Sequence, residues 1–560
     1  MKQPLNDYPR PQLVRDSYLS LNGVWEYAIR DNPKLPDKYD GDVLVPYSIE
    51  TPKSGVNKVL QPNQYLFYRL KLSLSPDFNK DKVILHFGAV DQIAKIYINR
   101  QFVMEHIGGF LPFEMDIKPY LTFQDDILEV VVQDLSDTSY HSRGKQRLKR
   151  GGIWYSPQSG IYMPVWLESV SKHYIESVKL TPDIDEKTIK IYVKSATKSL
   201  KMNLEGKIFD LKSNFENVIS LEDVHLWNLE DPYLYQFSLE SDDDKVDSYF
   251  AMRKISLSKD AQGHQRICLN NQPIFLKGVL DQGYYQEGFL TPNSDEDYIN
   301  DINLIKDLGF NCVRKHIKIE SLRWYYHCDR LGLLVWQDFV NGGTSYKFPT
   351  IAFPLITNVM HKDNHYSYFS RKDEAGRKEA IEEFKETINL LYNSPSIILW
   401  TIFNEGWGQF DSVPIYKMCK ELDSTRLYDH ASGWHDQGVS ETKSLHVYFK
   451  RVKMPKEKAI KDRAIILSEC GGYNLRIKDH AFSSKDFGYK QCKSEDELIN
   501  NYQTLIEKDI ISNIPKGLSA FIYTQLSDVE DELNGFITYD RQVVKVNKER
   551  IKELNDKARY

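Results

Sequence analysis

The sequence predicts a multidomain protein in which two antiparallel β-sandwiches precede a (β/α)₈ barrel. The chain has 560 residues, which is too long for a single hydrophobic core. Short alternating apolar and polar runs, bounded by turn residues, fill nearly the first half, as is typical of antiparallel sandwiches. After about residue 260, strand-like runs alternate with amphipathic segments of helical length, which indicates a parallel barrel.

The two sandwiches are predicted at residues 1–170 and 171–257. The β-type runs of the first lie at residues 43–46, 66–72, 83–87, 94–98, 128–132 and 165–168. The second includes runs at residues 187–193 and 233–239, with an acidic turn at 242–244. Its length fits one immunoglobulin-like unit.

The barrel is predicted at residues 258–560. Its eight strands are expected at residues 274–278, 312–316, 333–338, 397–405, 427–430, 444–448, 464–469 and 518–523. Helical patterns lie between several of them, at residues 295–308, 322–331, 377–391 and 495–511. Reacting groups in such barrels lie at the carboxyl ends of the strands, so residues that follow these runs are the candidates for function.

Composition and charge exclude several functional classes. Apolar residues make up 41% and charged residues 27% of the chain, as in ordinary globular proteins. The formal net charge of −6 gives no reason to expect nucleic acid or a membrane as a partner. Six scattered cysteines and the lack of an apolar leader predict a cytoplasmic protein, although a chain whose signal peptide had been removed would look the same.

Two glutamates follow long apolar β-type runs. Glu405 ends the run at 397–405 and precedes Gly-Trp-Gly, whereas Glu469 ends the run at 464–469 and precedes Cys-Gly-Gly. Glycine permits a sharp turn, so each buried strand would present its carboxylate at the barrel mouth. A single glutamate at a strand end is more often a surface ion-pair partner. Because glycoside hydrolysis requires two carboxylates on either side of one bond, the pair predicts this chemistry.

Neighbouring polar side chains are candidates for substrate binding. The Asn404 amide could donate to a sugar hydroxyl, and the Trp407 indole could stack on a sugar ring. Tyr448 could hydrogen-bond a carboxylate and keep it ionised. The other candidates are His446, Arg314, His316, Asp338 and Tyr523. For Arg314, a structural pairing with Asp338 is an equally good interpretation.

We expect no metal and no cofactor. His361 and His365 have helical i, i+4 spacing, but no glutamate follows His361 as a zinc protease would require. The sequence also lacks a Gly-x-Ser-x-Gly elbow, a phosphate-binding glycine loop and a dinucleotide fingerprint. The expected partner is a carbohydrate substrate, and a homo-oligomer is left open.

Several segments resemble glycoside hydrolase family 2, the group of β-galactosidases, β-glucuronidases and β-mannosidases, and together they cover nearly the whole chain. Residues 19–25 and 159–168 resemble the start and end of the family's jelly-roll sugar-binding domain, and residues 226–235 and 250–255 resemble its immunoglobulin-like domain. Phe403-Asn404-Glu405 looks like the acid/base motif, and Ser468-Glu469 looks like the nucleophile motif. The resemblance implies a retaining exo-β-glycosidase with Glu405 as acid/base and Glu469 as nucleophile.

Departures from the family pattern bear on the substrate. In the family, an arginine after the second strand is often followed three residues later by a histidine and then by Tyr-Pro. Here His316 stands only two residues after Arg314, and no Tyr-Pro follows it. Glucuronidases of the family carry Asn-x-Lys, which binds the uronate carboxylate, before a Gly-x-x-Thr segment. Here residues 532–534 are Glu-Leu-Asn, so the lysine is missing and an acid stands nearby. We therefore expect a neutral, β-galactoside-like terminal sugar.

Alternatives remain at this stage. The same machinery could act on β-glucuronides, β-mannosides or α-L-arabinosides. A catalytically inactive carbohydrate-binding protein is the alternative from another class.

Overall fold

The computed structural model describes residues 4–351, 354, 359–460 and 462–560. The predicted fold class is confirmed: two β-sandwiches precede a barrel of eight parallel strands. The strands of the two sandwiches precede, and the strands of the barrel follow, the change near residue 260 from a strand-only pattern to alternating strands and helices.

The first sandwich consists of a four-stranded and a six-stranded antiparallel sheet. In spatial order, the smaller sheet contains Tyr18–Ser20, Val165–Val170, Lys82–Phe87 and Phe113–Asp116. The larger sheet contains, in spatial order, Gly41–Val45, Gly23–Arg30, Tyr65–Lys71, Ile127–Gln133, Ile93–Ile98 and Gln101–Ile107. A short pair, Val90–Asp91 and Gly160–Ile161, completes it. Alternate residues point inward, so Trp25, Phe87 and Leu167 meet in one buried core.

The second sandwich has a three-stranded and a four-stranded sheet. The three-stranded sheet contains Ile175–Asp183, Thr188–Ser195 and Glu216–Ser220. The four-stranded sheet contains Lys207–Lys212, Ser199–Leu204, Tyr235–Glu240 and Lys245–Phe250. A further small sheet of Ile255–Lys259, Gln265–Leu269 and Gln272–Pro273 follows. Its first strand crosses residue 257, where the sequence places the domain limit.

The barrel strands are those expected from the buried runs. They are Leu276–Asp281, Cys312–Lys315, Leu334–Asp338, Ile397–Thr401, Leu427–Asp429, Thr442–Val447, Ala464–Gly471 and Leu518–Thr524. Backbone pairing joins the strands without a break in the spatial order fifth, fourth, third, second, first, eighth, seventh, sixth. The fifth and sixth strands are the two ends of this ladder. Side chains link the remaining two neighbours: Thr442 Oγ1 donates to the Tyr428 carbonyl at 2.9 Å and Ser444 Oγ donates to Asp429 at 3.1 Å.

Helices surround the strands. They are Asp295–Asp307, Leu322–Leu331, Phe348–Ile351, Glu374–Leu391, Ser412–Leu422, Glu457–Ile460, Glu495–Leu505 and Lys548–Lys557. Among the described residues, none of the helices has the length and apolar character needed to cross a bilayer.

The barrel interior is filled rather than open. Trp336, Ile466 and Ile522 belong to an apolar cluster inside the strands, and Trp227 of the second sandwich joins it. A separate cluster between strands and helices contains Tyr523. The second sandwich therefore packs against the core of the barrel, while the carboxyl ends of the strands are left for a site.

Candidate active site

The two glutamates lie at one site at the carboxyl ends of the barrel strands. Glu469 belongs to the seventh strand, and Glu405 follows the fourth strand by four residues. Carboxylate oxygens of the two residues and a ring nitrogen of His446 all lie within 4.8 Å of one another. Glu405 is 8% exposed and Glu469 is 4% exposed. Both carboxyls therefore share one largely desolvated pocket.

The backbone around Glu405 departs from the predicted strand. The sequence predicts a strand up to residue 405, but the ladder ends at Thr401. Asn404 forms an isolated bridge with Ser432, and the Glu405 N–H donates to the Ser432 carbonyl at 3.1 Å. Glu405 has φ of +50°, and Gly406 follows with φ of +72°. Such left-handed residues cost free energy and concentrate at functional sites.

Glu469 accepts hydrogen bonds from two side chains, and a third side chain lies within ion-pair distance. Arg314 Nη1 donates to Glu469 Oε1 at 3.2 Å, and the Tyr448 hydroxyl donates to Oε2. His446 Nε2 lies 3.8 Å from Oε1. Burial alone would raise the pKa of Glu469, but His446 and Arg314 outweigh it and lower the pKa to about 2. Glu469 is therefore ionised at neutral pH.

Glu405 has the opposite electrostatic environment. Burial raises the pKa of Glu405, and the negative charge of Glu469 raises it further, against the contact with His446. His446 Nδ1 lies 3.2 Å from Glu405 Oε1. The site thus contains two neighbouring carboxyls whose pKa values are shifted in opposite directions, which is the arrangement of an acid and a nucleophile.

Arg314 connects several predicted site residues. Its side chain is fully buried, and Nε donates to Asp338 at 2.9 Å. Nη2 donates to Asn404 Oδ1 at 2.9 Å. His316 Nδ1 lies 2.8 Å from the same Asp338. The structure therefore places Arg314 in an ion pair with Asp338 and also against Glu469, which combines the two interpretations that the sequence leaves open.

Two polar atoms near the pair have no partner in the described part of the chain. Asn404 Oδ1 accepts from Arg314, but the buried Asn404 Nδ2 has no acceptor. Trp407 Nε1 is likewise buried without an acceptor. Trp407 packs against Trp154 with ring centroids 5.1 Å apart. Unpaired buried donors cost free energy, so both are suited to oxygen atoms of a ligand.

Tyr523 lies apart from these residues. Its ring belongs to the layer between strands and helices, where it stacks on Phe536 at 4.6 Å. Its hydroxyl accepts from the Tyr473 N–H at 3.4 Å. Successive strand residues face opposite sides, and its neighbour Ile522 is the one that points into the barrel. The structure does not bring Tyr523 to the pocket, unlike the other predicted residues.

The pocket also contains residues that the sequence did not single out. Lys145, Trp154 and Tyr155 come from a segment of the first sandwich, and Tyr489 stacks on Tyr448 with centroids 3.7 Å apart. The only sequence signal for the first three is a basic, glycine-containing stretch at residues 143–155. Such a stretch does not reveal that it reaches a site in another domain.

The donor set does not favour a metal ion. Glu405, His446 and Glu469 have donor atoms close enough to share a cation. However, Arg314 already pairs with Glu469 and His446 already contacts Glu405, and a cation would have to compete with both. His361 and His365 lie in a segment without regular helix, so their i, i+4 spacing does not align them.

The hydroxyl of Tyr448 allows a controlled test of the pocket boundary. Tyr448→Phe should lower kcat by about 10- to 100-fold, because one hydrogen bond to the charged Glu469 is lost. Tyr523→Phe removes a buried hydroxyl from the helix layer and should leave kcat within about twofold. Steady-state kinetics on an aryl glycoside would measure both, and equal losses would contradict the placement.

Comparison with known families finds the same family along most of the chain. The models described as "Glycosyl hydrolases family 2, sugar binding domain", "Glycosyl hydrolases family 2" and "Glycosyl hydrolases family 2, TIM barrel domain" match residues 36–169, 173–253 and 262–466. They follow one another in the order in which the two sandwiches and the barrel occur.

Among curated relatives, a β-glucuronidase of Streptococcus agalactiae is 25% identical over 454 residues, covering 74% of this chain and 72% of that protein. A β-galactosidase of Photobacterium profundum is 25% identical over 474 residues, covering 74% of this chain but only 42% of that protein. The relatives thus carry two different activities, and some are much longer.

Solved structures share the fold over the whole length. A β-D-glucuronidase of Dictyoglomus thermophilum superposes with a TM-score of 0.76 at 18% identity, covering 98% of each chain. A family 2 β-galacturonidase of Eisenbergiella tayi, bound to galacturonate, gives a TM-score of 0.72 at 18% identity, covering 98% of this chain and 99% of that one. At this identity the likeness concerns the fold.

Proposed function

The chain belongs to glycoside hydrolase family 2, and from this premise we propose that it is a retaining exo-β-glycosidase. It would remove terminal sugars from oligosaccharides or glycoconjugates by double displacement. Residues 142–155 of the first sandwich lie against the barrel mouth, where Ser142 forms a bridge with Gly342. A mouth covered on one side favours a sugar at a chain end over one in the middle of a chain.

In the first step, an ionised Glu469 oxygen attacks the anomeric carbon. The bond from that carbon to the glycosidic oxygen breaks, and its electron pair stays on the oxygen, which takes the proton of Glu405. The products are a free alcohol and a glycosyl ester of Glu469. Because the ester carries no charge, the electrostatic cause of the raised pKa of Glu405 disappears at this point.

In the second step, Glu405 acts as a base. It takes a proton from water while the water oxygen attacks the anomeric carbon, and the ester bond to Glu469 breaks. The released sugar has its original anomeric configuration, because two displacements invert the carbon twice. Glu405 is again protonated and Glu469 is again ionised.

The separation of the carboxyls carries the proposal. Retaining enzymes have the two groups about 5–5.5 Å apart, whereas inverting enzymes need about 6.5–9.5 Å to admit a water. One oxygen of Glu405 and one of Glu469 lie within 4.8 Å of each other, so the carboxyls are close enough for the retaining arrangement. The opposed pKa directions of Glu405 and Glu469 support the assignment of acid to the first and nucleophile to the second.

Stereochemistry of the first-formed product tests the mechanism. Proton NMR during hydrolysis of an aryl β-glycoside should show the β-anomer of the sugar first, with the α-anomer arising later by mutarotation. If the α-anomer appeared first, the mechanism would be inverting. The substrate should come from a panel of aryl glycosides that differ at single hydroxyls, including galactosides, glucuronides, mannosides and α-L-arabinosides. If the protein hydrolysed none of these glycosides, the alternative of a catalytically inactive carbohydrate-binding protein would be favoured.

A further inference from the structure

A loop of the first sandwich, residues 142–155, closes one side of the barrel mouth; we call it the mouth loop. Its start is fixed to the barrel, because the Arg143 N–H donates to the Asn341 carbonyl at 3.0 Å. Asn341 Nδ2 in turn donates to the Gly144 carbonyl at 3.2 Å. At the other end, the Tyr155 N–H donates to the Lys145 carbonyl at 2.9 Å. The mouth loop is thus a fixed wall of the pocket.

Lys145 is a buried cation of the mouth loop, and it lies beside Trp407 of the site. It is 6% exposed, and its ammonium lies 5.4 Å from the ring centroid of Tyr155 and 5.8 Å from that of Trp407. Its charge acts on Glu405, whose pKa it lowers against the larger effects of burial and of Glu469. In the described part of the chain, the ammonium has no carboxylate partner and no hydrogen-bond acceptor.

A buried ammonium without a counter-ion costs free energy that aromatic contacts offset only in part. The carboxyls of the catalytic pair do not neutralise it. Glu469 already pairs with Arg314, and Glu405 contacts His446 and forms no ion pair with Lys145 within 4.0 Å among the described residues.

Glu532, the acid on which the expectation of a neutral sugar depends, is also occupied. Its Oε2 accepts from the Tyr155 hydroxyl at 2.5 Å, and its Oε1 accepts from Asn534 Nδ2 at 3.1 Å. Glu532 is 1% exposed. Glu532 thus already accepts two hydrogen bonds, and Lys145 supplies a cation to the pocket although residues 532–534 lack the lysine.

The partnerless groups around Lys145 are donors. The ammonium has three N–H groups and no acceptor, and the adjacent Trp407 Nε1 is a donor only. A carboxylate is the complementary group, since it only accepts, whereas a hydroxyl would also need an acceptor for its own proton.

We propose that Lys145 is a specificity-determining residue of the glycosidase and that its ammonium binds the carboxylate of a uronic acid in the terminal sugar position. The inference rests on the proposed function and assigns a substrate class to the same site. It places the cation for the substrate on the first sandwich, outside the barrel that carries the catalytic pair.

Kinetics on four aryl β-glycosides test the inference. The wild-type enzyme should have a kcat/KM at least about 100-fold higher on p-nitrophenyl β-D-glucuronide or β-D-galacturonide than on the glucoside and galactoside. Lys145→Met keeps the apolar stem and should lower kcat/KM on the uronide by about 100-fold, at least about tenfold more than on the neutral glycosides, where only its effect on Glu405 is lost. Lys145→Arg should recover part of the loss. Lys149→Ala, an exposed lysine of the same loop, is the matched control and should change nothing.

The outcomes separate the inference from the proposed function. A wild-type enzyme that prefers neutral glycosides, or a Lys145→Met variant that loses all substrates equally, would overturn the inference and leave the glycosidase assignment standing. If no glycoside were hydrolysed, calorimetric binding of D-glucuronate and D-galacturonate would still decide. Binding that Lys145→Met weakens would support the inference, and equal or absent binding in both proteins would refute it.

Discussion

Glu469→Gln should abolish turnover of ordinary β-glycosides, with kcat reduced on the order of 10⁴-fold or more. Glutamine has nearly the same shape but no charge, so it cannot attack the anomeric carbon. It also leaves Arg314 and Tyr448 without the carboxylate to which they donate, although Arg314 keeps its ion pair with Asp338. The loss should therefore come from the chemistry and not from unfolding.

The measurement is steady-state kinetics together with urea unfolding. Glu129→Gln is a matched control, because Glu129 is 2% exposed in the first sandwich and receives one hydrogen bond, from Tyr39 at 3.2 Å. It should keep kcat within about twofold. Turnover by Glu469→Gln near that of the control would end the assignment of Glu469 as nucleophile.

Much of the barrel could be predicted because its strands are buried on both faces. Such strands read as continuous apolar runs, and each of the eight predicted runs overlaps an observed strand. The fourth was predicted too long. Ile402 and Phe403 continue the apolar pattern, but the backbone leaves the ladder after Thr401 to reach the left-handed conformation of Glu405. That departure depends on the Ser432 contact, which apolar patterning does not encode.

The site was predictable as far as it is local in sequence. Glu405 and Glu469 each follow a recognisable run, and parallel strands bring such ends together. Tyr523 also lies near a strand end, but the alternation of side chains directs it to the helix layer. Lys145 could not be predicted, because its position depends on packing between a sandwich and a barrel that are far apart in sequence.

The opposed charges of the two carboxyls depend on an asymmetric supply of cations. Arg314 and Tyr448 both donate to Glu469, whereas His446 is the one basic side chain that pairs with Glu405 within 4.0 Å among the described residues. Burial is common to both groups, so the charges of His446 and Arg314 beside Glu469 decide which carboxyl ionises first. This asymmetry predicts that the two glutamates should respond differently to substitution, even though they share one pocket.

Glu405→Gln should therefore show a loss that depends on the leaving group. With a poor leaving group such as a sugar alcohol, the absence of a proton donor should lower kcat/KM by about 10²- to 10⁴-fold. A dinitrophenyl glycoside needs little protonation, so its first step should be nearly normal, and the glycosyl-enzyme should accumulate because the base for the second step is missing. Mass spectrometry of the intact protein would detect this ester on the variant.

The pH profile gives an independent check of the same role. Glu405 must be protonated to act, so kcat/KM should fall as pH rises through its pKa, which burial and the charge of Glu469 raise. Glu469, with a pKa of about 2, stays ionised throughout the assay range and contributes no acidic limb there. In Glu405→Gln the alkaline fall should disappear for the dinitrophenyl substrate. An unchanged alkaline limb in that variant would mean that another group donates the proton, and the role assigned to Glu405 would be wrong.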